Sequence, residues 1–204
     1  KEIAKFCAEN KRAYHVVSRQ ELEDITHAAH HEGLAMIAKL RQQQTFAAYL
    51  KEVRRTPGKA RLLVLDEVMN PHNIGAILRT AAHFGFDKIL ACKDGFPNFS
   101  PSMMRIAEGG FEYVDVMLVE ELKNAIQGLR SKGFQVVVAS AEGKTEVSNI
   151  DLEVPTILIM GNERHGVSEG LRSVADYTLA IAGTGYVESL NVSVSAGILM
   201  AFLQ

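Results

Sequence analysis

From Arg61 onward, short apolar runs alternate with stretches whose apolar residues recur every three or four positions. The runs are Leu62-Leu63-Val64-Leu65, Lys88-Ile89-Leu90-Ala91-Cys92, residues 134–139 and residues 156–160. A continuous apolar run between polar turns predicts a strand covered on both faces, as in a parallel sheet. Between the first two, Ile74, Ile77, Leu78, Ala81 and Ala82 form the buried stripe of a helix over 73–84, with Asn73 in the N-cap position and Gly85 ending it. Further helices are predicted over 100–108 with Pro101 in the first turn, 120–132 closed by Gly133, 168–175 capped by Ser168, and 191–203. Residues 113–118 and 177–181 read as extended. The alternation predicts an α/β fold, a mostly parallel sheet flanked by helices.

The pattern before residue 60 is different. Residues 1–45 read as helical pieces around a short extended stretch, Tyr14-His15-Val16-Val17, with Ser18 capping the next helix. Residues 41–59, rich in Gln, Lys and Arg, read as a polar helix and then a linker; they carry the basic cluster Lys51, Arg54, Arg55 and Lys59 and close on Thr56-Pro57-Gly58-Lys59. The expected organisation is a first segment over 1–45, a linker over 46–59 and the main domain over 60–204.

Composition narrows the class only moderately. The 204 residues are 47% hydrophobic and 23% charged with a net charge of −2, an ordinary globular balance without a global basic field. Nucleic acid would have to meet a local patch. Cys7 and Cys92 make neither a disulfide framework nor a zinc set, which points to a reducing cytoplasm. No apolar run reaches the roughly 18–20 residues of a membrane span. The chain opens on Lys1 rather than Met, so a fragment of a longer product is expected.

Several motifs fail on inspection. His27, His30 and His31 have helical spacing, but no Cys, Asp or Glu completes a ligand set, and ordinary packing is preferred, so no metal is expected. Gly143-Lys144-Thr145 imitates the end of a P-loop, yet Val138 stands where that motif needs a glycine. Gly183-Thr184-Gly185 lacks the third glycine of a dinucleotide fingerprint, because position 188 is Glu188.

Three segments remain, each following a predicted strand, where open α/β sheets bind ligands. The first runs Asn70-Pro71-His72-Asn73-Ile74-Gly75-Ala76-Ile77-Leu78-Arg79-Thr80-Ala81. Packing and capping explain all of it except Arg79, at the edge of the apolar stripe, which is either an ion-pair partner or an anion reader. The second is Leu158-Ile159-Met160-Gly161-Asn162-Glu163-Arg164-His165-Gly166-Val167-Ser168, in which Gly161 would let a ligand lie against bare backbone. The third begins Glu188-Ser189-Leu190-Asn191-Val192-Ser193 and runs into an apolar helix. Ser189 and Asn191 can cap that helix, and its start can also hold polar ligand atoms.

Together these segments resemble, in order, the motifs of the SpoU-type (TrmH-like) RNA 2′-O-ribose methyltransferases of the SPOUT superfamily, over about 60–204. Residues 1–45, with "HHEGLAMIA", look like the C-terminal part of the L30e-like substrate domain that relatives carry in front. The resemblance implies a C-terminal trefoil knot, a homodimer, S-adenosylmethionine as methyl donor, and transfer to a ribose 2′-oxygen of tRNA or rRNA. It implies donor contacts at Ser140, Gly161, Ile181, Gly185, Ser189 and Leu190, and a polar set of Asn73, Arg79, Glu163, Ser189 and Asn191 around the reacting centre. Arg79 is the family's proposed base. A guanidinium with a pKa above about 12 suits phosphate binding and alkoxide stabilisation better, with Glu163 or Asn191 positioning it in the same subunit or across the dimer. Relatives read Ile-Pro-Met-x-Gly after the last strand where this chain has Ile181-Ala182-Gly183-Thr184-Gly185, a looser loop. That departure keeps a second reading open, a non-catalytic RNA-binding or ribosome-associated protein on the same fold.

Overall fold

The structure, a computed structural model, describes residues 2–27, 31–37, 39–53, 59–143 and 147–204. His30, Ala38, Arg54, Arg55, Thr56, Pro57, Gly58, Lys144 and Thr145 of the segments above lie outside the described residues. The chain divides into two compact units, Lys1–Arg41 and Gln42–Gln204.

The first unit holds α1 (Glu2–Glu9) and α2 (Arg19–Thr26). Ser18 caps α2 as expected, in a full capping box: its side chain accepts from the Glu21 N–H while Glu21 reaches back to the Ser18 N–H. Residues 14–17 form no strand, and Val16 is 91% exposed. Among the described residues no neighbouring strand pairs with them, and β-propensity alone does not hold an isolated strand in water.

In the second unit, α3 (Phe46–Glu52) comes first. A helix is expected within 41–59, but as a polar one at the head of a linker; instead Tyr49 and Val53 are buried beneath the sheet. There follow β1 (Arg61–Leu65), α4 (Pro71–Phe84), β2 (Lys88–Cys92), α5 (Pro101–Ala107) and β3 (Asp115–Val119). Then come α6 (Leu122–Arg130), β4 (Gln135–Ala139), β5 (Thr156–Met160), α7 (Glu169–Arg172), β6 (Tyr177–Leu179) and α8 (Val192–Leu203). Among the described residues the strands form one six-stranded sheet in the order β3-β2-β1-β5-β4-β6. Every pairing is parallel, as the continuous apolar runs predict.

Alternate strand residues feed two cores. Leu63, Leu65, Ile89, Val137, Leu158 and Met160 pack against α4, α5 and α8. Leu62, Val64, Leu90, Val136, Ile157 and Ile159 pack against α3, α6 and α7. The result is helices on both faces of the sheet.

At the amino edge of the sheet a belt of buried polar groups lies at strand starts. Arg61, Asp115, Gln135 and Thr156, each the first residue of its strand, are at most 9% exposed. Lys88, first in β2, bridges Asp87 and Asp115 at 3.0 Å each. Gln135 donates to the Thr156 hydroxyl and to the Asp151 carbonyl. The Arg61 guanidinium donates to the carbonyls of Ala60, Leu152, Val154 and Leu203. It thereby joins the start of β1, the approach to β5 and the last turn of α8, whose terminal carbonyls have no intrahelical donor.

Candidate active site

Sequentially early strands build outward from β1 on one side, and the later ones lie beyond β5 on the other. The strand order therefore reverses between β1 and β5, and the carboxyl ends of these two strands open the crevice where α/β sheets place ligands. Several bonds join their loops. Asp66 N–H donates to the Met160 carbonyl, Ser168 N–H to the Asp66 carboxylate at 2.7 Å, and the Asn162 amide to the Glu67 carbonyl at 3.0 Å.

The first motif enters this crevice through α4. The helix starts at Pro71, not Asn73, and the N-cap is Asn70, whose side chain accepts from the His72 N–H. Proline favours the first helical position, where its missing N–H costs nothing, and this moves the cap three residues upstream of the expected one. Asn73 is thereby released from capping. Its amide nitrogen donates to Glu163 Oε1 at 2.5 Å and its amide oxygen accepts from the Asn191 amide at 3.1 Å. Asn191 in turn caps α8, accepting from the Ser193 N–H at 2.9 Å and from the Ser193 hydroxyl at 2.6 Å. Residues 90 and 118 positions apart thus form one directed chain of hydrogen bonds, Ser193 to Asn191 to Asn73 to Glu163. Glu163 accepts at its end as a carboxylate.

Gly161 opens the second motif. A Cβ there would stand 2.1 Å from the Gly166 carbonyl carbon and 2.2 Å from the Val167 nitrogen. The close backbone approach expected for a ligand is therefore made by the loop itself, which doubles back through the Asn162–Gly166 bridge and presents Glu163 at its tip. Ser168 occupies the N-cap position of α7 without a side-chain bond to the helix. The Asp66 carboxylate takes the Ser168 N–H instead.

Arg79 stands apart from this group. Six residues beyond Asn73 it is about 9 Å further along α4 and about 120° around it. Within this chain its partner is Glu108, with Nη2 2.9 Å from Oε2, rather than Glu163 or Asn191. Sequence reasoning passed over Glu108. Its one signal was the pair of glycines after it, a mark of close backbone approach. Beside the pair opens a cavity of about 420 Å³ lined by Arg79, Thr80, His83, Glu108, Gly110 and Tyr113.

The other sequence-derived residues lie at the ends of β4, β5 and β6, neighbours in the sheet. Ser140 follows β4, donating its N–H to the Leu179 carbonyl at 2.8 Å. Close by, Gly143 lies so near the chain leaving β6 that a Cβ would be 2.4 Å from the Ala180 nitrogen. Ile181 is half-buried against the core, while Gly185 (φ +82°), Ser189 and Leu190 are exposed along the loop into α8. Ala182 and Gly183 are exposed on the same loop, with open space around Gly183. A cavity of about 480 Å³ at the ends of β1 to β3 is lined by none of the sequence-derived site residues. Its acidic rim (Asp66, Glu67, Asp94, Glu120 and Glu121 against Lys123) would repel phosphate. Among the described residues no cluster of three or more His, Cys, Asp or Glu could hold a metal. Nor is any described helix long and apolar enough to cross a membrane.

These features define a class: a parallel α/β protein whose polar groups gather at the carboxyl edge where the strand order turns. The chain belongs to the SpoU rRNA Methylase family, whose model matches residues 60–201. Residues 1–44 match the family described as "RNA 2'-O ribose methyltransferase substrate binding". The chain is 32% identical over 200 residues to the uncharacterized tRNA/rRNA methyltransferase YfiF of Escherichia coli O157:H7, covering 98% of this chain and 57% of that protein. It spans little more than half the length of the first curated relatives it matches, 57% and 56%. An S-adenosylmethionine-bound rRNA methyltransferase from Sinorhizobium meliloti superposes with a TM-score of 0.68 at 26% identity, covering 80% of this chain and 60% of that one. The TrmH/SpoU tRNA modifying enzyme of A. aeolicus gives 0.61 at 29% identity, covering 78% and 82%.

Proposed function

We propose that this protein transfers a methyl group from S-adenosylmethionine to a ribose 2′-oxygen of tRNA or rRNA, in the cytoplasm, as a homodimer joined through a knotted domain over 60–204. The observation that carries the reading is the convergence of Asn73, Glu163 and Asn191, one from each family motif, into a single hydrogen-bonded chain at the sheet's switch point. Residues 1–45 would be the C-terminal part of an L30e-like substrate domain. Support for that role, and for ribose as the acceptor, comes from the family matched over residues 1–44.

The residues at the ends of β4, β5 and β6 suit the donor. Ser140 and Gly161 offer backbone groups, Ile181 and Leu190 an apolar wall, and Gly185 and Ser189 a pliant polar loop. When bound, the donor supplies an activated sulfonium methyl, so no metal is needed. The chain's residues then have to hold the 2′-oxygen in line with that methyl, the positioning on which such a displacement depends. Glu163, held by Asn73, orients the hydroxyl from the α4–α8 side. Arg79, which stands apart from Glu163 within one subunit, binds phosphate and stabilises the alkoxide from across the dimer. The hydroxyl proton passes to water, and the oxygen–methyl bond forms as the sulfur–methyl bond breaks, leaving a neutral thioether.

The test incubates the protein with donor labelled in the methyl group and RNA from cells lacking the gene, then digests the RNA with alkali. A 2′-O-methyl group blocks alkaline cleavage of the adjoining phosphodiester, so the expected product is a labelled, alkali-stable dinucleotide. Label confined to base-methylated nucleotides would refute ribose as the acceptor. RNA retention with neither donor binding nor label would select the non-catalytic RNA-binding role.

A further inference from the structure

We propose that Glu108 is a positioning residue for Arg79, fixing the direction in which its guanidinium meets the acceptor RNA; the proposal rests on the ribose-methyltransferase reading above. The two side chains meet at 2.9 Å while 58% and 61% exposed. An ion pair that open adds little to stability, so any fixed direction for the pair has to come from the backbones that carry it. The backbones on both sides are held in register. Glu108 caps α5 in the left-handed region (φ 43°), and Gly109 (φ +85°) continues the turn. Gly110 then rests directly on α4, where a Cβ would lie 2.7 Å from the Leu78 carbonyl oxygen and 2.8 Å from the Arg79 Cα. The turn carrying Glu108 is therefore seated on the same helical turn that carries Arg79, and any side chain at position 110 would lift it off.

This arrangement gives a flexible arginine a defined reach. Glu108 engages one terminal nitrogen, and a guanidinium has five N–H donors in a rigid fork. The fork can hold the carboxylate on one side and a phosphate or alkoxide oxygen on the other. The adjoining cavity of about 420 Å³ gives such an oxygen room to enter beside Thr80 and Tyr113.

The test compares the parent protein with Glu108→Gln, Arg79→Ala and the double variant. Glutamine keeps the size of the side chain and removes its charge, so folding, checked by melting, should hold. The expected result for Glu108→Gln is a fall in kcat of about tenfold with the donor KM unchanged, and no further loss when it is added to Arg79→Ala. A kcat within about twofold of the parent, or an added loss in the Arg79→Ala background, would overturn the proposal. Relaxation of the Arg79 Nε–H signal in the free protein, without RNA or donor, separates this inference from the activity. An ordered signal in the parent that becomes mobile in Glu108→Gln supports positioning, and equal mobility in both overturns it. A parent that labels no RNA overturns the ribose-methyltransferase reading itself.

Discussion

Replacing Arg61 by methionine tests how the second unit closes around its last helix. Arg61 is 5% exposed, and its guanidinium gives its donors to backbone carbonyls from three separated segments. Burial lowers its pKa, and the nearby Glu153 carboxylate works against that shift. It nevertheless keeps its charge, as arginines in proteins do. Methionine matches the length of the stem and makes no hydrogen bond. The Leu203, Leu152 and Val154 carbonyls then lose a charged donor, at roughly 1.5–3 kcal/mol each. The carbonyls of the half-buried Leu152 and Val154 regain some water, and one buried charge disappears, so the net loss is about 3 kcal/mol. For a chain of this size each kcal/mol moves the melting point by about 2–4 °C, giving a fall of about 6–12 °C. Calorimetry or circular dichroism reads this directly. Arg61→Lys should fall between parent and methionine, because an ammonium keeps the charge without the fork. A methionine variant melting within about 2 °C of the parent would show that the fork does not tie the three segments together. The effect should reach the site as well, since α8 carries Asn191 at its other end, about 18 Å away.

Four further outcomes follow from the same geometry. Arg79→Ala should lower the kcat of methyl transfer by about a hundredfold to a thousandfold while donor binding, read by titration calorimetry, stays nearly intact; activity near the parent's would remove Arg79 from the reaction. Asn73→Ala breaks the chain between Glu163 and Asn191, so kcat should drop about tenfold to a hundredfold at a stability cost near 1 kcal/mol, and unchanged kinetics would show that the amide does not orient the site. Gly161→Ala should destabilise the unit in urea unfolding by more than Gly→Ala at the open Gly183, because only the former meets backbone at 2.1 Å. Alkaline stability depends on two groups. Burial, and then the Asp87 charge, pushes Tyr49 up to about 12. Burial alone would lower Lys88, but its bonds to Asp115 and Asp87 outweigh that and raise it. Both hold protons more tightly when folded, so stability is fully present below their unfolded values near pH 10 and declines as pH rises through the folded ones. Ultraviolet titration should show a late step that Tyr49→Phe removes, whereas a curve that the substitution leaves unchanged at high pH would contradict the burial of Tyr49.

The sheet was the most legible feature, because burial on both faces makes every residue of β1, β4 and β5 after the first apolar, and that pattern is local. Helix boundaries shifted where two local signals competed. Asn73 and Asn70 are both good caps, and only Pro71 decides between them. The helix at 46–52 was legible but its burial was not, because α3 buries little besides Tyr49 and Val53, too few to mark a stripe. The family resemblance implied a functional role for Asn73, Glu163 and Asn191, but their mutual bonds span 90 and 118 positions and depend on strand order. The Arg79–Glu108 pair was invisible for the same reason. It is set by how the turn after α5 lies on α4, which no spacing along one helix encodes.

The polar belt at the strand starts has a genetic consequence. Arg61, Lys88, Asp115, Gln135 and Thr156 sit at the amino edge, whereas Asn73, Gly161, Glu163 and Asn191 lie beyond the carboxyl ends or on the helices that start there. Damaging substitutions should therefore sort into two populations in a saturation screen that scores abundance and activity separately. Those at the amino edge would lower the amount of protein and leave each surviving molecule competent. Those at the carboxyl edge, Gly161 apart, would leave normal amounts of a silent protein, and the loops there would be free to diverge toward new acceptors without endangering the sheet that carries them.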